Sequence, residues 1–524
     1  MRERAAELKG QVRRKLLEAM SSSTVADTVV LVDVLERLGI DNHFRHEIAA
    51  MLHRVHLEEQ GCAAGSVDDD DLHIASLRFR LLRQHGFGVT TDVFNKFKDG
   101  KGGFKANLSS DIKGLLSLYN AAHLAMPGEA ALDDAIIFSR CHLRSTKGKL
   151  RSPIAEQVSR ALDIPLPRDS KRLETMHYIF EYEKEPSFDG AILEFAKLDF
   201  ELVKSLHLRE LKALTIWWKD LYDSVNLSYA RDRLVESYFW TCNVFHEEEH
   251  SRSRIMFAKV FGLMSLMDDT YDVHATLEEC YMLNEAIQRW DKSAVSILPE
   301  YLHVFYIKML HIFDELENTL EPNEKYRVSY AKNGYKQLSE LYLQEAQWSS
   351  HRYTPSFAEQ LEVSLMSSGI PQLAPVLLLG VHDGDGVATP EAFEWAASVP
   401  ALVRAGGEIA RFLNDIASYD RSGRSSSKDV PSTVECYVTE HGVGGEEAVA
   451  AVAAMVESAW RTINEACVEM DPALLPAARL VVSLTRTLEV IYLNGRDGYT
   501  IGAGIKGLVT SFFLGHPPHL DTIN

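Results

Sequence analysis

Residues 261–276 read FGLMSLMDDTYDVHAT. An apolar stretch, Leu263 to Met267, leads directly into Asp268, Asp269 and Asp272. On a helix, positions i and i+4 share a face, so Asp268 and Asp272 point the same way. Asp269 lies about 100° round and stays near the same end. Three carboxylates at one end of an apolar helix repel each other and are tolerable when water or cations compensate. Mg²⁺ takes hard oxygen ligands, usually one or two carboxylates completed by substrate phosphates. A solvated helix end explains an isolated DDxxD as well, but the apolar residues just before it make full solvation less comfortable.

Working outward, apolar residues recur at three and four spacing in Leu31–Leu38, His46–His56, Leu77–Arg83, Phe195–Leu206 and Ala448–Ile463. No sustained period-two alternation interrupts them. Glycines cluster at Asp99–Gly103, Gly380–Gly386 and Gly442–Gly445, where loops are expected. The fold class is therefore all-α. A chain of 524 residues exceeds the roughly 250–300 residues one hydrophobic core serves, so two domains are expected. Helical folds build polar sites in the bundle core from side chains on facing helices.

The net charge of −20 argues against nucleic acid or an anionic membrane surface as a partner. An anionic small molecule stays admissible, because a small site can be locally basic. None of the six cysteines is paired as CxxC, which points to a reducing compartment. No apolar run approaches the roughly 18–20 residues of a membrane span. The segment Met1–Glu7 has neither an apolar signal core nor transit-peptide character, so a cytoplasmic location is expected. The acids Asp68, Asp69, Asp70 and Asp71 read as a solvated loop before a helix starting at Leu72, because a catalytic acid needs a dry pocket to raise its pKa.

Three further stretches carry chemistry. Residues 411–422, RFLNDIASYDRS, place Asn414, Ser418 and Ser422 four apart on one helical face, each a hard oxygen ligand. Residues 231–240, RDRLVESYFW, set Arg231 and Arg233 before Tyr238, Phe239 and Trp240. The arginine fork suits a diphosphate, and an indole face suits a cation. Residues 492–500, YLNGRDGYT, form a charged turn with two glycines between Tyr492 and Tyr499, the composition of a lid.

Together and in this order, these elements resemble plant class I terpene synthases of the sesquiterpene-forming type. The likeness extends over nearly the whole chain. LHIASLRFRLLRQHGFGVTTDVFNKFKD at Leu72–Asp99 is similar to that family's N-terminal domain, and AKLDFELVKSLHLRELKALTIWWKDL at Ala196–Leu221 to the helix opening its C-terminal one. AIQRWD at Ala286–Asp291 and VECYVTEHG at Val434–Gly442 match as well. The resemblance implies a helical domain over residues 1–195 without known chemistry of its own, and a catalytic helical bundle over residues 196–524. It implies that Asp268, Asp269 and Asp272 bind two of three Mg²⁺ ions, with Mn²⁺ as a substitute. Asn414 and Ser418 match the first two ligands of the motif for the third ion. Arg231, Arg233 and Arg411 match residues that hold diphosphate. Trp240, Tyr492, Asp497 and Tyr499 match residues of the cation pocket or its lid. The implied enzyme is a monomeric lyase that ionises farnesyl diphosphate and quenches the carbocation by proton loss or water capture.

Two departures stand out. The second metal motif normally ends in Glu, where this chain has Ser422, and Asp420 cannot replace it on an unbroken helix, being about 200° from both Ser418 and Ser422. The tandem-arginine motif with a downstream Trp, usual near the family's N-terminus, is absent. A monoterpene synthase acting on geranyl diphosphate is the nearest alternative. A weakly active paralogue that binds prenyl diphosphate is another, and Ser422 is the feature in its favour.

Overall fold

Helices begin where the sequence supplies a side-chain oxygen. Asp71 Oδ1 accepts the main-chain N–H groups of His73 (2.8 Å) and Ile74 (3.3 Å) and starts the helix Leu72–Gln84. Thr276, Ser356 and Ser432 form reciprocal capping boxes with Glu279, Glu359 and Glu435, each worth about 1 kcal/mol to its helix. The computed structural model describes residues 1–61, 71–382, 384, 386–419, 430–502 and 504–515. Asp68, Asp69 and Asp70 lie outside these, as do Asp420 and Ser422. Among the described residues the chain is helices and turns, with one isolated bridge between Lys98 and Phe104. The all-α expectation holds.

The helices foreseen from periodicity are present as longer elements, including Val25–Arg37, Arg45–Gly61 and Gly445–Glu469. Phe195–Leu206 falls inside Gly190–Val225, a single helix that also contains the expected boundary at 195/196. The chain divides into two compact units. One comprises Met1–Leu206, Asn464–Met470 and Thr510–Asn524, and the other His207–Ile463 and Asp471–Val509.

The second unit is a helical bundle whose helices meet at small residues. A Cβ on Gly262, in the Ser251–Asp269 helix, would lie 2.8 Å from the Trp218 ring, so only glycine lets the apolar face settle onto that indole. A Cβ on Gly407 would lie 2.8 Å from the Leu365 carbonyl, which brings Ala401–Tyr419 close against Phe357–Ser367. The stretch Phe357–Leu378 is apolar and long enough to cross a membrane, but 78% of it is buried. It is also broken: Gly369 takes φ +79°, and Ile370–Leu378 restarts with Pro371 in its first turn. Positive φ costs glycine little and frees carbonyls at the break from helical pairing.

The first unit has its own core around Leu115, Leu116, Tyr119, Leu143 and Val158. Beside it lies a buried ion cluster. Arg37 Nε donates to Glu174 Oε1 (2.8 Å), and Arg160 donates to Glu174 Oε2 (3.2 Å) and Glu181 Oε2 (2.9 Å). The Arg37 guanidinium also lies 3.7 Å over the Tyr178 ring. Burial pushes the Glu174 carboxyl upward, but Arg37 and Arg160 overcome it and hold it at about 2. A carboxylate depressed in the folded state stabilises that state above its unfolded pKa of about 4.3 and loses the effect as pH falls through the folded value. The first unit should therefore lose stability between about pH 4.5 and pH 2. Glu174→Gln, which leaves two guanidinium groups short of a carboxylate, should cost roughly 3 kcal/mol at pH 7 and flatten that acid limb. Urea titrations of wild type and variant across this pH range measure both effects.

Candidate active site

All thirteen predicted site residues except Ser422 belong to described parts of the second unit, and most converge on one cavity of about 900 Å³. Its wall includes Arg231, Trp240, Asp268, Asp272, Arg411, Asn414, Ser418, Tyr492, Asp497 and Tyr499. Asp269 and Arg233 are the exceptions.

The aspartate helix does not continue as a plain α-helix through its acids. It runs Ser251–Asp269 and then widens to a π-turn over Thr270–His274. Such turns occur mostly at functional sites, because the widened register re-aims side chains. Here the turn is clamped by Tyr229, whose ring stacks on His274 at 4.1 Å and whose hydroxyl meets Thr270 Oγ1 at 3.1 Å. Asp268 and Asp272 face the cavity. Asp269 turns the other way and is fully buried. Its Oδ2 accepts the Arg231 main-chain N–H (2.7 Å), and its Oδ1 accepts Arg231 Nε (2.8 Å) and Nη2. Both oxygens thus accept from Arg231, and Asp269 positions the arginine.

The rest of the RDR segment divides its work. Asp232 accepts the Trp218 indole N–H at 2.9 Å. Arg233, expected to hold diphosphate, donates Nη2 to the Thr500 carbonyl and sits 3.7 Å from Glu236. In this structure it holds the lid segment. Asp497 caps the short helix Gly498–Ile501 by accepting the Thr500 N–H at 2.8 Å.

On Ala401–Tyr419, Arg411 donates Nε to the Ser364 carbonyl (3.2 Å) and Nη1 to Asn414 Oδ1 and Asp415 Oδ1 (3.4 Å each). Asn414 Nδ2 donates to the Tyr492 hydroxyl at 3.1 Å, which fixes the amide with its oxygen beside Arg411 Nη1. Asp415 accepts the Thr433 N–H at 2.7 Å and so belongs to the scaffold. The floor is aromatic. Trp240 donates its indole N–H to the Leu484 carbonyl (3.2 Å) and meets Phe261 and Tyr499 edge to face at 5.3 and 5.9 Å.

Two residues on Arg327–His351 escaped the sequence reading. Glu345 lines the cavity and accepts the Ser367 hydroxyl at 2.6 Å. Tyr342, one turn earlier, lines it too and hydrogen-bonds Asp268. The available signal was a single acid within LYLQEAQW, three residues from a tyrosine on an otherwise core-facing helix.

The electrostatics describe a cleft short of positive charge. Burial, and then the Asp269 charge, raise the Asp268 carboxyl, although 35% of its side chain is accessible. Crowding by protein, then the like charges of Asp268 and Glu345, push Asp272 well above the ordinary range even though its outer face is exposed. Burial lifts Glu345 to about 7 against the pull of Arg411 and Ser367. Divalent cations would relieve this frustration. Among the described residues no three His, Cys, Asp or Glu side chains converge as a closed metal site. Two carboxylates on one wall, with an amide oxygen and a hydroxyl on the other, fit Mg²⁺, which keeps waters and takes the remaining oxygens from phosphates.

Comparison with known proteins agrees with this geometry. Residues 1–162 match the family described as "Terpene synthase, N-terminal domain", and residues 219–462 match "Terpene synthase family, metal binding domain". The chain is 56% identical to a eudesmanediol synthase of Zea mays, over 98% of this chain and 91% of that one. It is 47% identical to a tau-cadinol synthase of the same organism, over 94% and 89%. Isoprene synthase from grey poplar, solved with three Mg²⁺ ions and dimethylallyl-S-thiolodiphosphate, superposes with a TM-score of 0.88 at 29% identity, covering 99% and 97% of the two chains. The chain accordingly binds divalent metal.

Asp268 and Asp269 should separate by experiment. In Mn²⁺ titrations followed by electron paramagnetic resonance, Asp268→Asn should weaken binding about tenfold or more, the loss of one anionic ligand. Asp269→Asn should change it less than about threefold and instead destabilise the fold by roughly 3 kcal/mol, because it strands Arg231 beside a neutral amide. Equal loss of Mn²⁺ in both variants would restore Asp269 as a ligand.

Proposed function

The chain belongs to the terpene synthase family, and on that premise we propose that it is a sesquiterpene synthase: it ionises farnesyl diphosphate, guides the carbocation through cyclisation, and releases diphosphate. One observation carries the reading. A single cavity brings together the oxygen donors Asp268, Asp272, Asn414 and Ser418, the guanidinium groups of Arg231 and Arg411, and the rings of Trp240, Phe261 and Tyr499. The eudesmane and cadinane skeletons in the relatives' names have fifteen carbons, the number in a farnesyl chain. The volume of about 900 Å³ is at the upper end of the usual pocket range of about 300–1,000 Å³, which favours farnesyl over geranyl.

Bound Mg²⁺ would supply Lewis-acid stabilisation of the departing diphosphate. Asp268, Asp272, Asn414 and Ser418 are the residues that would hold it. Three ions, replaceable by Mn²⁺, are proposed on the likeness to isoprene synthase. Arg231 and Arg411 add fixed positive charge where the leaving group gains negative charge as the C–O bond breaks, and they need no reorganisation to do so. Their orientation is set beforehand by Asp269 for the one, and by Ser364 and Asp415 for the other. The allyl cation then faces Trp240, Phe261 and Tyr499. Desolvated aromatic faces stabilise a cation by roughly 2 kcal/mol or more. Arg233 and Asp497 hold the segment over the cavity and help exclude bulk water. The proposal places the enzyme in the cytoplasm as a monomer, with no nucleic-acid or membrane partner.

Turnover of farnesyl diphosphate should exceed that of geranyl and geranylgeranyl diphosphate by about tenfold or more in kcat/KM, a difference of about 1.4 kcal/mol or more, and should vanish when EDTA removes the metal. Preference for geranyl diphosphate would make the chain a monoterpene synthase. Trp240→Phe should retain most activity, while Trp240→Leu should lose about 30-fold, the equivalent of about 2 kcal/mol of cation–π stabilisation. Equal activity of the two variants at equal folded yield would reduce Trp240 to a packing residue.

A further inference from the structure

Beside the Trp240 and Phe261 rings, the cavity wall carries a small group of hydroxyls. The Tyr499 hydroxyl donates to Ser265 Oγ at 3.2 Å and meets Ser237 Oγ at 3.2 Å. Ser237 is fully buried on the Leu234–Val244 helix. Ser265 and Tyr499 line the cavity. The Tyr499 ring stacks on Phe261 at 5.8 Å with planes 9° apart, and so is held in register with the floor.

Counting protons decides what this group can do. Tyr499 has one proton, which goes to Ser265 Oγ. The Ser237 proton then goes to Tyr499 Oη. The proton of Ser265 is left over. Buried helical serines and threonines usually donate to the carbonyl four residues back, as Thr241 does to Ser237 (2.8 Å) and Thr270 to Leu266 (2.7 Å). Among the described residues no such bond is made by Ser265. The chain of hydroxyls therefore ends in an O–H at the cavity wall, beside a Tyr499 oxygen that retains a lone pair. If the group served only to fix Tyr499, the Ser237 bond and the Phe261 stack would suffice.

Resting on the sesquiterpene synthase reading, we propose that Ser265 and Tyr499 bind the water that terminates the cation cascade, so that the principal product is a sesquiterpene alcohol. A water needs two to four polar partners to be held in an otherwise apolar cavity. Ser265 Oγ–H and Tyr499 Oη supply two. A lone pair of the water oxygen forms the new C–O bond to the cationic carbon. One proton of the resulting oxonium passes to Tyr499 Oη, the Tyr499 proton to Ser265 Oγ, and the Ser265 proton onward to the diphosphate co-product. Each hydroxyl gains one proton and loses one, and the products are a neutral alcohol and a protonated diphosphate. Ser265 lies one helical turn before Asp268 on the same helix.

The test is product analysis in H₂¹⁸O with farnesyl diphosphate and Mg²⁺, comparing the wild type with Ser265→Ala and Ser265→Thr. The wild type should give mainly an alcohol carrying ¹⁸O. Ser265→Ala should lower the ratio of alcohol to hydrocarbon about tenfold, which corresponds to about 1.4 kcal/mol between competing barriers. Ser265→Thr, which keeps the hydroxyl, should stay within about twofold of the wild type. Wild-type products that are hydrocarbons alone, or an unchanged ratio in Ser265→Ala, would overturn the proposal and leave the sesquiterpene synthase reading standing. Farnesyl diphosphate left unconsumed by the wild type would overturn that reading first, and this one with it.

Discussion

A carboxylate with no access to water must be matched by charge and hydrogen bonds, and Asp269 is such a carboxylate. Leaving it unpaired would cost several kcal/mol. Arg231 meets it with a main-chain N–H and a side-chain fork. The pair fastens the segment before the Leu234–Val244 helix to the end of Ser251–Asp269. Much of the site follows from that one join. It puts Trp240 against Phe261 and brings Ser237 and Ser265 within reach of Tyr499. It also sets Arg231 at the rim, where a diphosphate would arrive. Because Asp269 takes the Arg231 fork, Asp268 and Asp272 are left on the cavity wall, where Arg231 at 3.9 Å and the Tyr342 hydroxyl offset the Asp268 charge only in part.

That division explains how one short motif serves both stability and chemistry. A paired buried charge rigidifies, whereas clustered unpaired carboxylates oppose folding and invite cations. The site keeps both within a few residues by widening the helix to a π-turn just past Asp269. The cavity shows the same division. Charges and hard oxygens such as Asp268, Asp272, Asn414 and Ser418 line part of it, and Trp240, Phe261, Met264 and Leu488 line another part. A carbocation formed at the rim moves into a region without strong nucleophiles. The exception is the hydroxyl chain of Ser237, Tyr499 and Ser265, whose place on the floor makes it able to act late rather than early.

Much of this was legible in the sequence because it depends on local rules. Apolar spacing at Phe195–Leu206 marks a helix whatever it packs against, and Asp268 and Asp272 at i and i+4 announce a shared direction. The sequence was silent where direction depended on a partner. Asp269 is chemically identical to Asp268, and only the approach of Arg231, 38 residues away in the chain, separates their roles. Arg233 looked equivalent to Arg231, but its partner is a carbonyl at Thr500, 267 residues distant. No periodicity carries that information. Glu345 and Tyr342 were missed for a related reason: one acid on a buried helical face has no pattern until its neighbours across the cavity are known. The π-turn was illegible as well, because the i+4 rule assumes an α-helix through the acids.

The two walls of the cleft differ in charge, and the difference bears on how the site assembles. The wall of Asp268 and Asp272, with Glu345 nearby, carries negative charge in excess. The wall of Asn414 and Ser418 offers an amide oxygen and a hydroxyl, both neutral. Arg411 stands on that second wall and donates to Asn414 Oδ1, so a cation there meets a guanidinium as neighbour. Neutral ligands beside a fixed positive charge hold a divalent ion weakly in the absence of an added anion. A diphosphate supplies that anion, and Mg²⁺ readily takes phosphate oxygens. Asp268 and Asp272 would therefore hold a divalent ion by their own charge, whereas Asn414 and Ser418 would need the substrate's phosphate oxygens to complete a site. Charge supplied at Asn414 and Ser418 would then arrive with the diphosphate, when the prenyl chain already occupies the cavity. The C–O bond is then weakened only when aromatic faces are in place to receive the cation and bulk water has been displaced.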